Sequence, residues 1–366
     1  MEFTIIREQL LQPLMVVSSV VERRQTLPIL SNIHLKIVGH VLTLTATDLE
    51  LEMSAKGTVE GSTGDLETTI PARKLLDICK AASSDSVIKF NIDDAKVRLQ
   101  SGRAKFTLGS MDAREYPSIA ISGEVSKVEI TNSELKKLLN LTHFAMAQQD
   151  VRYYLNGLFL DLDADVLVVV GTEGHRLAMA KSPVQSTGPA RSLIVPRKAV
   201  MEMIKLLNES DAIATLTLAD DHFIFENEQV IFKSKVIDGN FPDYQRVIPT
   251  GVNNRVSCNR SELKEVLSRV AILANEKYRA VRFKMGGNLL SILANNQENE
   301  EAEEDLEVNY SGTDMEIGFN ASYFLDVLAA LTTDDVEIHF GDASSSCLIL
   351  EPDNSNVQYV IMPMRL

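Results

Sequence analysis

Leu193-Ile194-Val195-Pro196-Arg197-Lys198-Ala199-Val200-Met201-Glu202-Met203-Ile204-Lys205-Leu206-Leu207 decides how the rest of the chain is read, because copies of it stand in all three thirds of the sequence. Ile70-Pro71-Ala72-Arg73-Lys74-Leu75-Leu76-Asp77-Ile78 precedes it by 125 positions, and Phe319-Asn320-Ala321-Ser322-Tyr323-Phe324-Leu325-Asp326-Val327 follows it by 124. Even spacing of one stretch predicts three like domains. In each copy a short apolar run ends at Ile70, Val195 or Phe319, and apolar residues then recur at helical spacing. Val200, Met203, Ile204 and Leu207 stand at i, i+3, i+4 and i+7, one stripe of an amphipathic helix. Leu75, Ile78, Cys79 and Ala82 keep that stripe in the first copy, and Phe324, Val327, Leu328 and Leu331 in the third. Pro71 and Pro196 sit where strand hands over to helix, a position at which proline forfeits no helical hydrogen bond.

The opposite face of the helix carries charge. Lys198, Glu202 and Lys205 align with Arg73, Asp77 and Lys80, so two copies present the same plus, minus, plus ladder. A solvated, self-paired face accounts for one such ladder. Its recurrence leaves a basic binding face open beside that reading.

At 366 residues and 45% hydrophobic content the chain is long enough for two or three domains, each with its own core, which agrees with the repeat. It has no apolar run of about 18 residues to span a membrane, and its start, Met1-Glu2-Phe3-Thr4-Ile5-Ile6-Arg7, lacks the pattern of a signal peptide. A cytoplasmic protein is expected. Cys79, Cys258 and Cys347 are odd in number, far apart and in no CxxC spacing, which points to core residues and to neither disulfides nor a metal site. No cofactor is expected. The net charge of -15 argues against nucleic acid, but it is unevenly spread. The helix candidates at 7–24, 73–80, 134–140, 197–207, 260–271 and 321–331 together carry +6, leaving -21 on the remainder. An acidic protein with one basic, helix-lined surface fits that distribution.

In chain order, residues 3–5 predict a strand and 7–24 a helix with Leu10, Leu14 and Val17 inward, ending near Arg23 and Arg24. Residues 27–38 and 41–54 read as strands, as do 87–92, 96–101 and 105–108, and 118–123 reads as a linker. The unit restarts at Val128 and at Val256, with Ser133 and Ser261 as expected helix N-caps. Tyr116-Pro117 and Phe241-Pro242-Asp243-Tyr244 close the first two units one repeat apart. Each unit is two helix-plus-strands halves, an α+β layout with antiparallel sheets.

No P-loop, GxSxG, HExxH or post-strand GxGxxG occurs. The best local candidate for chemistry is Gly171-Thr172-Glu173-Gly174-His175-Arg176-Leu177, between two strand-like runs. One reading is a hairpin turn whose glycines supply positive φ. Its counterparts, Ala46-Thr47-Asp48-Leu49-Glu50 and Ala294-Asn295-Asn296-Gln297-Glu298, do not keep Gly-His-Arg, so the middle unit holds something of its own. A binding pocket and an enzyme using His175 and Arg176 both remain open. The acidic run at 298–305 reads as a solvated loop. Alternatively it faces Arg103 and Lys105, with Phe106 and Leu108 beside them, in a head-to-tail contact.

Several stretches together resemble the bacterial DNA polymerase III β subunit family, the sliding clamps: Thr26-Leu27-Pro28-Ile29-Leu30, Thr47-Asp48-Leu49-Glu50, Gln149-Asp150-Val151-Arg152-Tyr153-Tyr154-Leu155-Asn156-Gly157, Gly174-His175-Arg176-Leu177, Asp238-Gly239-Asn240-Phe241-Pro242-Asp243-Tyr244 and Met362-Pro363-Met364-Arg365-Leu366. The match runs through the whole chain in order. It implies a DNA-clamp fold with domains at 1–122, 123–252 and 253–366, and a head-to-tail homodimeric ring of six domains around duplex DNA. Such a ring tethers the polymerase without catalysing a reaction. The resemblance carries DNA contact to Arg24, Arg73, Gln149, Tyr153, Tyr154 and Lys198. It implies a pocket for a short peptide motif of the polymerase α subunit, the clamp loader, other polymerases and repair proteins. Matching positions are Arg152, Leu155, Thr172, Gly174, His175, Arg176 and Leu177, then Pro242, Arg246 and Val247, then Ser346, Val360, Met362, Pro363 and Met364. The dimer contact falls on Lys74, Ile78, Arg103, Lys105, Phe106 and Leu108 of one chain. Its partner surface is Ile272, Leu273, Glu298, Glu300, Glu301, Glu303 and Glu304 of the other. The third helix copy has Ser322 and Ala329 where the others have bases, which departs from the DNA-facing pattern. A monomeric scaffold for proteins alone is the remaining alternative.

Overall fold

The computed structural model describes residues 1–22, 27–61, 64–93, 95–120 and 123–365. Among them run helices α1 (Arg7–Ser18), α2 (Ala72–Ala81), α3 (Asn132–Thr142), α4 (Arg197–Leu206), α5 (Arg260–Val270) and α6 (Ala321–Ala330). The repeated stretch forms α2, α4 and α6, each entered directly from a strand: Leu66–Pro71, Arg191–Pro196 and Met315–Asn320. Their apolar stripes face inward as the spacing requires. Leu75, Cys79, Val200, Met203, Leu207, Phe324, Val327, Leu328 and Leu331 are buried, and Ile78, Ala82 and Ile204 half-buried. Where the third copy lacks the proline, Asn320 caps α6 by accepting a bond from the Ser322 amide at 2.9 Å.

Every repeat lays down two four-stranded antiparallel half-sheets. In the first, Leu66–Pro71, Asn32–Val38, Val41–Thr47 and Leu51–Thr58 lie side by side, and Glu2–Ile6, Val87–Asp93, Lys96–Ser101 and Ala104–Gly109 form the other. The second repeat has Arg191–Pro196, Gly157–Asp163, Val166–Thr172 and Arg176–Pro183, with Ser126–Thr131, Ile213–Leu218, His222–Glu226 and Val230–Lys235. The third has Met315–Asn320, Ala280–Gly286, Leu289–Asn295 and Glu301–Glu307, with Asn254–Asn259, Asp335–Phe340, Cys347–Glu351 and Asn354–Ile361.

Half-sheets of neighbouring repeats fuse. Leu51–Thr58 pairs with Val230–Lys235, which with Gln185–Thr187 at one end gives a nine-stranded sheet. Arg176–Pro183 pairs with Asn354–Ile361, which with Asn309–Ser311 gives another. The middle repeat is thereby divided. One compact unit comprises Met1–Asn132, Gln185–Pro189 and Met201–Val236, and the other Ser133–Val184, Ala190–Val200 and Ile237–Leu366. Two half-sheets stay four-stranded, with Ala104–Gly109 and Glu301–Glu307 as edge strands. No helix among the described residues is long and apolar enough to cross a membrane.

Several local expectations are corrected. Residues 41–54 are two strands, because Asp48 Oδ1 accepts the amides of Glu50 at 2.9 Å and Leu51 at 2.7 Å and closes a turn that needs neither glycine nor proline. Residues 27–38 open with the 3₁₀ turn Pro28–Ser31, and the strand starts at Asn32. α1 stops at Ser18, where i to i+3 bonds from Ser19, Val20 and Val21 tighten the chain; Arg23 and Arg24 lie outside the described residues. The cap of α5 is Asn259, not Ser261, and Ser133 lies inside the first turn of α3. Most of the acidic run is the strand Glu301–Glu307, not a loop: its backbone is satisfied by Leu289–Asn295, and Leu306 is buried while Glu301, Glu303, Asp305 and Glu307 stay exposed. The supposed linker packs down at Ile119, which is 9% exposed.

Candidate functional site

The strands Val166–Thr172 and Arg176–Pro183 are joined by a hairpin with a dense set of bonds. Thr172 Oγ1 donates to the Arg176 carbonyl at 2.6 Å and accepts the Gly174 amide at 3.2 Å. Glu173 Oε1 accepts the amides of His175 at 2.9 Å and Arg176 at 3.0 Å. Only Gly174 uses positive φ, at 101°. Gly171 is needed for a different reason, since a Cβ there would stand 2.6 Å from the Thr142 carbonyl oxygen.

Arg152 lies flat on the bare face of Gly174, where a Cβ would meet its guanidinium nitrogens at 2.8 and 3.0 Å. Its Nη2 donates to the Glu173 carbonyl at 2.9 Å and to Asp150 Oδ2 at 2.9 Å, and its Nε donates to Asp150 Oδ1 at 3.0 Å. The guanidinium holds the Asp150 carboxyl down at about 2. On the other side of the hairpin, Arg176 Nη1 donates to Asp326 Oδ2 at 2.5 Å and Nη2 to the Phe144 carbonyl at 2.7 Å, while the group stacks 4.6 Å from the Tyr323 ring centre. The tail is tied to the hairpin by the Met362 amide, which donates to the His175 carbonyl at 2.9 Å.

Between these parts opens a cleft of about 550 Å³. Eleven predicted residues line it: Arg152, Leu155, Thr172, Gly174, His175, Arg176, Leu177, Pro242, Val247, Val360 and Met362. Its floor belongs to an apolar cluster of Val170, Leu177, Met179, Tyr244, Leu348 and Val360. Phe241 stacks on Phe159 at 4.7 Å and 7°, and Tyr244 donates to Asp161 Oδ2 at 3.2 Å. Phe241 and Tyr244 line the cleft too, although in the sequence they stand out only as part of the closing motif of the repeat and of one family-like stretch, with no pocket role. Tyr154, assigned to DNA, also lines it. Four predicted positions are not among its lining. Arg246 is an exposed side chain paired with Asp243 at 2.8 Å, and the Met364 amide donates to the Gly318 carbonyl. Ser346 and Pro363 are half-buried.

The arrangement suits binding more than catalysis. The Thr172 hydroxyl is spent on the turn, Arg176 is held by Asp326 and Phe144, and the exposed His175 ring lies 3.3 Å from the Glu173 carboxylate. An apolar floor under a few fixed polar groups is the build of a ligand site.

The remaining predicted positions sit on other surfaces. Arg73 on α2 and Lys198 on α4 are exposed, and Lys205 bonds Glu202 at 2.7 Å, so part of the ladder is self-paired. α6 carries no lysine or arginine. Gln149 is exposed at φ 56°, and Tyr153 projects 58% exposed, edge-on to Tyr154. Arg24 lies outside the described residues. Lys74, Arg103, Lys105 and Phe106 are exposed, Leu108 is 8% exposed and Ile78 half-buried. Ile272 is 76% exposed and Leu273 half-buried. Glu298, Glu300, Glu301 and Glu303 face solvent, whereas Glu304 is gripped by Arg269 at 2.7 and 3.0 Å within its own chain.

Comparison with known proteins bears on all of this. Residues 1–120 match the family profile described as DNA polymerase III beta subunit, N-terminal domain, residues 129–243 its central domain, and residues 245–365 its C-terminal domain. The chain is similar to the beta sliding clamps of Pseudomonas aeruginosa, 46% identical, and of Escherichia coli, 42% identical, each over 100% of both chains. Among solved structures, the Pseudomonas aeruginosa clamp bound to griselimycin superposes with a TM-score of 0.97 at 46% identity, and the Caulobacter crescentus beta clamp with 0.93 at 35%, both over 100% of each chain.

Proposed function

Since the chain belongs to the DNA polymerase III beta subunit family, the bacterial sliding clamps, we propose that two copies close head to tail into a six-domain ring around duplex DNA. The ring tethers the replicative polymerase and is itself a non-catalytic processivity factor. One observation carries the ring. At both junctions inside the chain, the last strand of a first half-sheet pairs with the last strand of a second half-sheet: Leu51–Thr58 with Val230–Lys235, and Arg176–Pro183 with Asn354–Ile361. The same rule leaves over one acidic edge, Glu301–Glu307, and one basic edge, Ala104–Gly109 with Arg103 beside it. A third junction of the same kind, made between two chains, uses both. The register of the other two sets Lys105 opposite Glu303 and Phe106 opposite Ala302. Lys74, Ile78, Leu108, Ile272 and Leu273 flank that seam, Glu298, Glu300 and Glu301 rim it, and Glu304 stays with Arg269. Apolar burial supplies most of the adhesion and exposed charge little.

Domain bounds at 1–122, 123–252 and 253–366 follow the closing motifs Tyr116-Pro117 and Phe241-Pro242. Arg24, Arg73, Gln149, Tyr153, Tyr154 and Lys198 hold phosphates loosely and without sequence preference, against an otherwise acidic surface. The cleft beside Gly174 takes a short peptide with leucine or phenylalanine anchors from the polymerase α subunit, the clamp loader, other polymerases or repair proteins. The cytoplasm is the compartment for this work.

The test separates encirclement from affinity. Loaded by a clamp loader and ATP onto nicked circular DNA, the protein stays at salt that strips it from linear duplex of equal length, and one cut in the circle releases it. Equal retention on cut and uncut DNA would overturn the ring.

A further inference from the structure

The two junctions inside the chain are built on one plan and finished differently. A shift of 125 positions carries His34 to Phe159, Thr45 to Val170, Glu52 to Leu177, Ser54 to Met179 and Tyr116 to Phe241. The aromatic pair at the cleft, Phe241 in its wall stacked on Phe159, is matched by His34 stacked on Tyr116 at 5.3 Å and 20°. Across the sheet, Lys233 stands opposite Glu52 as Val360 stands opposite Leu177. The floors differ in kind. Where the second junction has Leu177, Val360, Val170 and Met179, the first has a Glu52–Lys233 ion pair at 2.7 Å and a Thr45–Ser54 hydroxyl bond at 2.8 Å.

The ion pair also holds chain. Glu52 Oε2 accepts the Ile119 amide at 2.7 Å, and Lys233 Nζ donates to the Ile119 carbonyl at 3.1 Å, so the ion pair holds both backbone polar groups of one residue. The Glu52 side chain is 5% exposed and that of Lys233 21%. Ion pairs this deep contribute little to stability over an apolar pair of the same volume, so their retention calls for another reason. Exclusion of a wrong ligand is one, because an apolar anchor laid on this floor would strip water and partners from a charge.

We propose that Glu52 and Lys233 close the first-junction counterpart of the cleft and confine the partner peptide to one site per chain. This rests on the reading of the Gly174 cleft as the peptide site.

The experiment is calorimetric titration of the full dimer with a synthetic peptide of the polymerase α subunit that carries the leucine and phenylalanine anchors. Wild type takes one peptide per chain. Glu52→Leu combined with Lys233→Val places the second junction's floor in the first, and a second, weaker binding event per chain appears beside the first, weaker because Leu49 and Lys235 stand there in place of Gly174 and Met362. The reverse graft, Leu177→Glu with Val360→Lys, weakens binding at least ~100-fold while sedimentation still reports the dimer. Absence of any second binding event in a folded double variant overturns the proposal, as does tight binding by the reverse graft, which decides alone if the first variant fails to fold. A wild-type chain that bound no peptide would overturn the cleft reading as well, which tells the two failures apart.

Discussion

The hairpin from Thr47 to Leu51 and the hairpin from Thr172 to Arg176 share their backbone bonds almost atom for atom. In each a threonine hydroxyl donates to a carbonyl four residues on, at 2.7 and 2.6 Å, and accepts an amide two residues on, at 3.1 and 3.2 Å. In each the next carboxylate, Asp48 or Glu173, accepts two further amides. The crowns differ. Leu49 holds φ 77° with a side chain that is 37% exposed, whereas Gly174 holds φ 101° with the Arg152 guanidinium on its bare face. One turn is only a connection and the other is the wall of a cleft, and the difference lies in a handful of side chains on a common scaffold.

The largest contrast should come from the tail: the Lys235 amide donates to the Glu50 carbonyl at 2.9 Å just as the Met362 amide donates to His175, but it is Met362 that lines the cleft. Deleting residues 362–366 removes Met362 from the cleft and its amide from His175. Binding of the α-subunit peptide should fall at least ~100-fold, about 3 kcal/mol, because a few anchors carry most of such an interface. Sedimentation should still report the dimer. A truncated chain that bound as well as the full one would detach the tail from the site.

Making the second crown like the first should have a smaller effect. In Gly174→Leu the new Cβ meets Arg152 at under 3 Å, and the left-handed backbone costs about 1–2 kcal/mol for a residue with a side chain. The guanidinium is pushed off the turn, thermal stability drops, and peptide affinity falls roughly tenfold, the scale of one lost anchor contact. Unaltered affinity by titration would show that Arg152 does not need its seat.

Acid tests the same seat without a mutation. Asp150 titrates at about 2 in the folded chain because Arg152 bonds its carboxylate, against about 3.9 when unfolded. A depressed folded value means the bond contributes fully above pH 4 and is lost as pH falls from about 4 to 2. Carboxyl chemical shifts followed by NMR should show Asp150 titrating well below an ordinary aspartate, and Asp150→Asn should erase that signal. An ordinary midpoint would mean the pair is not formed in solution.

How much of this was legible in the sequence depended on distance along the chain. The inward stripes of α2, α4 and α6 were legible because the helix period writes itself within ten residues. The fusion of half-sheets was not, because Leu51–Thr58 and Val230–Lys235 lie far apart in sequence and a strand that ends on a partner alternates like one that ends on water. The turn at Asp48 hid for a local reason, since an aspartate carboxylate did what glycine or proline usually signals. Most cleft residues were named from the family resemblance. What that could not convey was that Arg152 needs Gly174 bare, or that Phe241 and Tyr244 wall the same cleft.

The smallest effect is predicted for Leu49→Gly, which makes the first crown like the second. Relief of a left-handed leucine is worth about 1–2 kcal/mol. Against it stand the added freedom of glycine in the unfolded chain, about 0.4–1 kcal/mol, and loss of burial from a side chain already 37% exposed. The balance is a gain of no more than about 1 kcal/mol, read as a higher urea midpoint at constant slope. Peptide binding should not change, because no residue of the Gly174 cleft is touched. A lower midpoint would mean that the packing of Leu49 outweighs its strain, and the two crowns would then differ in what they hold as well as in what they leave bare.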